Sequence, residues 1–150
     1  MVDIVQQAGP LQILFVSFAS LMSNCIFCKI VKGEIPSYKI YEDENYFAFL
    51  DIYPRVKGHT LLIPKKHYRW VYDVPDFGGY WERAKKISDA VQKALMPEFI
   101  TFVTHGLEIP HAHIHILPRQ KGETSFVPEQ KTFSKESMEK IAEELRQALV

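Results

Sequence analysis

The stretch that decides the fold is His111-Ala112-His113-Ile114-His115-Ile116-Leu117. Imidazoles and apolar side chains alternate along it. In an extended strand, residues two apart share one face. The three histidines therefore line one side, about 7 Å from one to the next. Ala112, Ile114 and Ile116 line the other side, toward a core. A polar row backed by an apolar row suits the floor of a site built on a sheet. Imidazole titrates near neutrality and can act as nucleophile, acid, base or metal ligand. Three of the chain's six histidines stand in this row, which argues against a surface strand with incidental histidines. His-x-His also sets two metal ligands on one face, so a metal site is a further reading.

Outward from that row, the pattern predicts four more strands and two helices. Gly33, Pro36 and Ser37 mark a turn. Strands are expected over residues 38–42, 46–51 and 59–63, with Pro54 and Gly58 punctuating the second connection and Pro64 stopping the third strand. Phe77, Trp81, Ala84, Ile87, Val91 and Leu95 recur at helical spacing, and Pro97 ends that helix. Residues 100–103 form a further strand. Ser134 is placed to cap a last helix with the stripe Met138, Ile141, Ala142, Leu145 and Leu149. The order predicts an α+β fold: a mainly antiparallel five-stranded sheet, a long middle helix and a C-terminal helix.

Composition narrows the function classes. With 150 residues the chain holds one sizeable core. Lys plus Arg total 18 and Asp plus Glu total 18, so a basic footprint for nucleic acid is not expected. The cluster Lys65, Lys66 and Arg69 reads as a solvated basic patch. Two cysteines, Cys25 and Cys28, are too few for a disulfide scaffold. As C-x-x-C they offer two metal ligands, a redox pair or two buried thiols, and they favour a reducing, cytoplasmic setting. Residues 11–22 read LQILFVSFASLM. That run is short for a membrane span, which needs about 20 residues, and it lacks a basic flank in front. The expected division is residues 1–21 as an N-terminal extension, with Met22 as a possible natural start, and 22–150 as the domain. A secreted or membrane-attached protein is the competing reading.

His111 to Leu117 resembles the signature of the histidine triad superfamily. The run CIFCKIVKGEIPSYKIYEDENYFAFLDIYPRVKGHTLLIPKKHY, residues 25–68, resembles the opening half of its Hint-like branch. The likeness covers residues 22–119 well. It implies a histidine-triad fold and a hydrolase or transferase of purine nucleoside 5'-phosphate derivatives. His113 is implied as the nucleophile that forms a nucleotidyl-histidine intermediate, which water then releases. His115 is implied as its partner for charge or leaving-group protonation, His111 is implied as the first member of the catalytic triad, and the nucleophile's other nitrogen needs an acceptor, a backbone carbonyl near His111. His59 matches a further histidine beside the triad. Asp51 matches a ribose-binding acid, with Ile52 and Phe47 as walls for the base. The resemblance further implies a homodimer through the middle helix and fourth strand. It also implies a structural zinc site of Cys25, Cys28, His67 and His111.

One stretch departs from that family's pattern. The segment before the triad, Thr104-His105-Gly106-Leu107-Glu108-Ile109-Pro110, is shorter and carries neither Asn nor Gln to cradle phosphates. Glu108 falls where a phosphate-facing hydroxyl is expected. Its carboxylate would repel an anionic substrate unless protonated or paired with His115 or Arg119. Arg119 is the expected contact for leaving-group phosphates, with bulk solvent as its other reading. His105 reads as a surface residue. Two rivals follow: a non-catalytic nucleotide-binding or regulatory zinc module, and a dinucleoside polyphosphate hydrolase.

Overall fold

The structure is a computed structural model that describes residues 24–150. The expectations for residues 1–21 and for the apolar run lie outside the described residues. The elements in order are α1 (Ile26–Val31), β1 (Lys39–Glu42), β2 (Tyr46–Leu50), β3 (Thr60–Pro64), a 3-10 turn (Val71–Asp73), α2 (Phe77–Leu95), β4 (Phe99–Val103), β5 (Ile114–Arg119) and α3 (Lys135–Ala148). The strands form one antiparallel sheet in the order β1-β2-β3-β5-β4. No helix among the described residues is long and apolar enough to cross a membrane.

The sheet has two buried faces, and strand periodicity assigns the side chains. Tyr46, Ala48, Leu50, Leu62, Ile114 and Ile116 pack with the apolar stripes of α2 and α3. Phe47, Phe49, Leu61 and Ile63 turn the other way, against Phe27 and Ile30 of α1. This is why β2 and β3 are buried at every position and, Thr60 apart, do not alternate between apolar and polar residues. The stripe on α2 sinks Tyr80, Ala84, Ile87 and Val91 completely. A buried aliphatic such as Ile87 contributes roughly 1.5–3 kcal/mol, and Ile87→Ala would cost about 2–5 kcal/mol through the cavity left behind.

The helix ends follow their sequence signals. The Asp76 side chain accepts a hydrogen bond from the Gly79 N–H at 3.1 Å, capping α2. Met96 closes α2 in the left-handed region at φ 47° before Pro97. The Ser134 hydroxyl accepts from the Ser137 N–H at 3.2 Å, capping α3 as expected. Gly58, at φ +79°, turns the chain into β3, where a side chain would collide with Leu95. That turn delivers His59 to the start of β3.

One boundary differs from the sequence pattern. The ladder of β5 begins at Ile114, which pairs with Leu62, and not at His111. The Ala112 N–H donates to the Tyr68 carbonyl at 2.7 Å. The chain therefore peels away from β3 just where His111 and His113 stand.

Candidate active site

The triad sits on the sheet face covered by α1. Phe27 presents its ring near-perpendicular to those of both His111 and His113, with centroids 5.8 and 5.3 Å away. Ala112, Ile114 and Ile116 are buried in the opposite core, as strand parity requires. His113 and His115 are ring neighbours at 4.8 Å.

Hydrogen bonds assign the protons of each imidazole. His113 Nδ1–H donates to the His111 carbonyl at 2.6 Å. Its Nε2 therefore carries a lone pair. Burial lowers the proton affinity of His113 below the usual imidazole value, so the ring is neutral at pH 7. Next to it, the Arg55 N–H donates to His59 Nδ1 at 3.2 Å. That leaves the proton of His59 on Nε2, which faces His115 Nδ1 at 2.9 Å. His115 accepts it and carries its own proton on Nε2. The site thus sets a lone pair on His113 beside an N–H on His115. Burial holds both His59 and His115 down at about 3, helped for His59 by the Arg55 charge and for His115 by His113.

Asp51 Oδ2 lies 3.6 Å from His59 Nε2. Asp51, His59 and His115 cluster closely enough to suggest a metal site. The Arg55 N–H argues against it: His59 Nδ1 must keep a lone pair, so Nε2 keeps its proton and cannot ligate. Within the trio His59 and His115 share a hydrogen bond, and the Asp51 carboxylate stands beside them without one.

A second cluster is well suited to a metal. Cys25, Cys28, His67 and His111 bring four ligand atoms within 4.8 Å of one another. His111 Nδ1 lies 3.4 Å from Cys25 Sγ and 3.5 Å from Cys28 Sγ, and His67 Nδ1 lies 3.3 Å from Cys28 Sγ. Tetrahedral zinc with bonds of about 2.1 Å to nitrogen and 2.3 Å to sulfur needs edges of about 3.6 Å. His111 Nε2–H donates to the Pro64 carbonyl at 2.8 Å, which turns the Nδ1 lone pair toward the thiols. Such an outer partner is typical of a metal-ligating histidine. Without a cation, burial and the Cys25 neighbour push the Cys28 thiol up to about 12. A bound divalent ion would reverse that. The residues fit zinc.

A cavity of about 950 Å³ opens over His113 and His115, lined also by Asp51, Ile52 and Glu108. Ile52 is 59% exposed at its mouth. Two expected nucleotide contacts lie elsewhere. Phe47 is on the right face but one pleat repeat too far from Asp51, and it packs under Phe49, which takes its place in the cavity wall. Arg119 lies six residues beyond His113, about 20 Å along a strand. It is buried, and donates to the Ser125 carbonyl at 2.6 Å and to Glu123 at 3.3 Å. Glu108 therefore gains no pairing from Arg119. The sequence reading missed several wall residues. His105, expected on the surface, is exposed yet borders the cavity, as do Phe27, Arg55 and Phe126. Only Phe27, inside the cysteine motif, carried a local signal.

The HIT domain model matches residues 32–122, and the chain belongs to this histidine triad family. It is 42% identical over 109 residues to a HIT-like protein of Methanocaldococcus jannaschii, covering 69% of this chain and 84% of that one. It is 35% identical over 114 residues to an adenosine 5'-monophosphoramidase of Saccharomyces cerevisiae, covering 73% and 71%. Among solved structures, a zinc-bound histidine triad family protein from Mycobacterium smegmatis superposes with a TM-score of 0.72 at 33% identity, covering 85% of this chain and 94% of that one.

Proposed function

We propose that the protein is a nucleotidyl hydrolase acting on purine nucleoside 5'-phosphate derivatives, phosphoramidates foremost, through His113. The observation that carries this is the proton arrangement: a neutral His113 with its Nε2 lone pair free, beside a His115 N–H, at the floor of one cavity.

The reaction runs in two displacements. The anionic phosphoryl group, entering beside His115, brings one proton into the His59–His115 pair, whose charge it offsets. His113 Nε2 attacks phosphorus, and the P–N bond breaks with its electron pair on nitrogen. The leaving amine takes the proton from His115. The His111 carbonyl, already holding Nδ1–H, stabilises the positive nucleotidyl-imidazolium. Water then attacks phosphorus, returns a proton to His115 and frees His113 together with the nucleoside monophosphate. Asp51 is placed to accept from ribose hydroxyls, with Phe49 and Ile52 flanking the base.

Zinc held by Cys25, Cys28, His67 and His111 would supply rigidity, pinning the carbonyl that orients the nucleophile. A second copy of the chain is expected against α2 and the edge strand β4, where Phe77, Met96, Phe99 and Phe102 are exposed. The cytoplasmic reading rests on the two cysteines, too few for a disulfide scaffold and spaced as a metal pair.

The test is release of AMP from adenosine 5'-phosphoramidate, followed by chromatography, for the wild type and His113→Ala. Turnover by the wild type alone supports the hydrolase. AMP binding by calorimetry without turnover in either protein would favour the nucleotide-binding module.

A further inference from the structure

The ladder between β3 and β5 stops at Leu62 and Ile114, short of the first two triad histidines. Three consecutive residues after β3 take its place. His67 sets its ring against His111, with centroids 4.8 Å apart. The Tyr68 carbonyl accepts from the Ala112 N–H at 2.7 Å. Arg69 Nη1 donates to the Gly106 carbonyl at 2.7 Å. This short bracket therefore holds the chain that leads into the triad at residues 106, 111 and 112.

Arg69 grips the part of that chain with the fewest other holds. Thr104, His105 and Glu108 line the cavity, yet they make no side-chain hydrogen bond among the described residues, and Leu107 is exposed. Arg69, expected in a solvated basic patch, is half-buried, and its guanidinium lies 3.7 Å from the centre of the Trp70 ring. Stacked in this way, the planar fork is fixed before it donates. Gly106, by contrast with its neighbours, is buried. A β-carbon there would stand 3.7 Å from Arg69 Nη1, 3.7 Å from Trp70 Cζ3 and 3.8 Å from His113 Cε1. Arg69, Trp70 and the nucleophile thus meet around one glycine. Cε1 is the ring carbon between Nδ1 and Nε2, so the loop borders the edge of the imidazole that carries the attacking nitrogen. The His111 carbonyl and the Phe27 ring hold His113 from other sides.

We propose that Arg69 is a positioning residue for the nucleophile: by holding the Gly106 carbonyl it keeps the 104–110 loop against His113 and keeps Nε2 aimed into the cavity. This inference rests on the hydrolase reading of the site and adds a residue that touches neither substrate nor imidazole nitrogen. Its effect falls on the rate of attack, because a small misplacement of a reacting atom slows the step far more than it weakens binding.

The experiment compares the full-length wild type, Arg69→Ala and Arg69→Lys on adenosine 5'-phosphoramidate, with melting temperature and bound metal measured on each. Arg69→Ala should lower kcat roughly 10- to 100-fold and leave KM within about threefold. Its melting temperature should stay within about 4 °C of the wild type. Arg69→Lys, which keeps a donor, should retain most of the rate. Added ethylguanidinium should restore kcat in Arg69→Ala and leave the wild type unchanged. Unaltered kcat in Arg69→Ala would overturn the proposal. So would a loss that neither lysine nor ethylguanidinium repairs, which marks a structural role, or a loss that tracks bound metal, which places the effect at His67. If the wild type turns nothing over, the hydrolase reading fails, and calorimetry with AMP then decides on Arg69. Weaker AMP binding in Arg69→Ala, restored by ethylguanidinium, supports its hold on the loop; equal affinity overturns it.

Discussion

His111 holds His113 through its backbone carbonyl at 2.6 Å while turning its own Nδ1 toward Cys25 and Cys28. One residue thereby joins the metal cluster to the nucleophile. The main chain sets the nucleophile's tautomer, and the side chain fixes that main chain.

Metal removal follows directly. Chelation should lower the melting temperature of the wild type by about 5 °C or more, about 2 kcal/mol for a domain of this size. Cys25→Ala should abolish that response. Turnover should fall with chelation, since the His111 carbonyl loses its anchor. Differential scanning calorimetry with and without chelator checks this; identical melting curves would show that the cluster does not hold a stabilising ion.

His59 acts through His115. His59→Ala removes the N–H that fixes the His115 tautomer and should lower kcat by about 10- to 100-fold. KM should change far less, because His115 itself remains. Steady-state kinetics on a phosphoramidate separates the two, and an effect confined to KM would place His59 in binding only.

Asp43 gives a pH signature for stability. Burial alone would raise its carboxyl, but hydrogen bonds from the Tyr41 hydroxyl, Arg83 and the Tyr46 and Asn45 N–H groups outweigh it and hold the group down at about 2, against 3.8 for the free side chain. A depressed value stabilises the fold above pH 4 and loses that contribution as pH falls toward 2. The full contribution is about 2 kcal/mol. Denaturant melts of wild type and Asp43→Asn should differ at pH 6 and converge near pH 2.

The exposed aromatic edge gives a prediction of assembly. The double variant Phe77→Lys, Phe99→Lys should sediment as a monomer and the wild type as a dimer, because charge on an edge strand opposes pairing. A monomeric wild type would remove the dimer from the account.

The sequence made the triad row legible because parity alone decides which side chains share a face. Cys25, Cys28, His67 and His111 were harder to group. Residues far apart in the chain converge only through tertiary structure, and it was the family likeness that named them. Strand parity also put Phe47 on the correct face. It could not say which of Phe47 and Phe49 stands at the site, because that depends on where β2 ends. Arg119 looked available since an arginine at a strand end is usually solvated. Its burial depends on the return of residues 123–125, whose course no local signal gives. Glu108 was visible as a departure from pattern, while its lack of a partner is a fact of three dimensions.

The most direct test of the central claim is to trap the intermediate. The wild type is mixed with a radiolabelled adenosine phosphoramidate, quenched in alkali during turnover, digested and mapped by mass spectrometry. The account predicts one nucleotidyl group, on the peptide containing His113, absent in His113→Ala. Continued AMP release with the label on another residue, or undiminished turnover by His113→Ala, would contradict it.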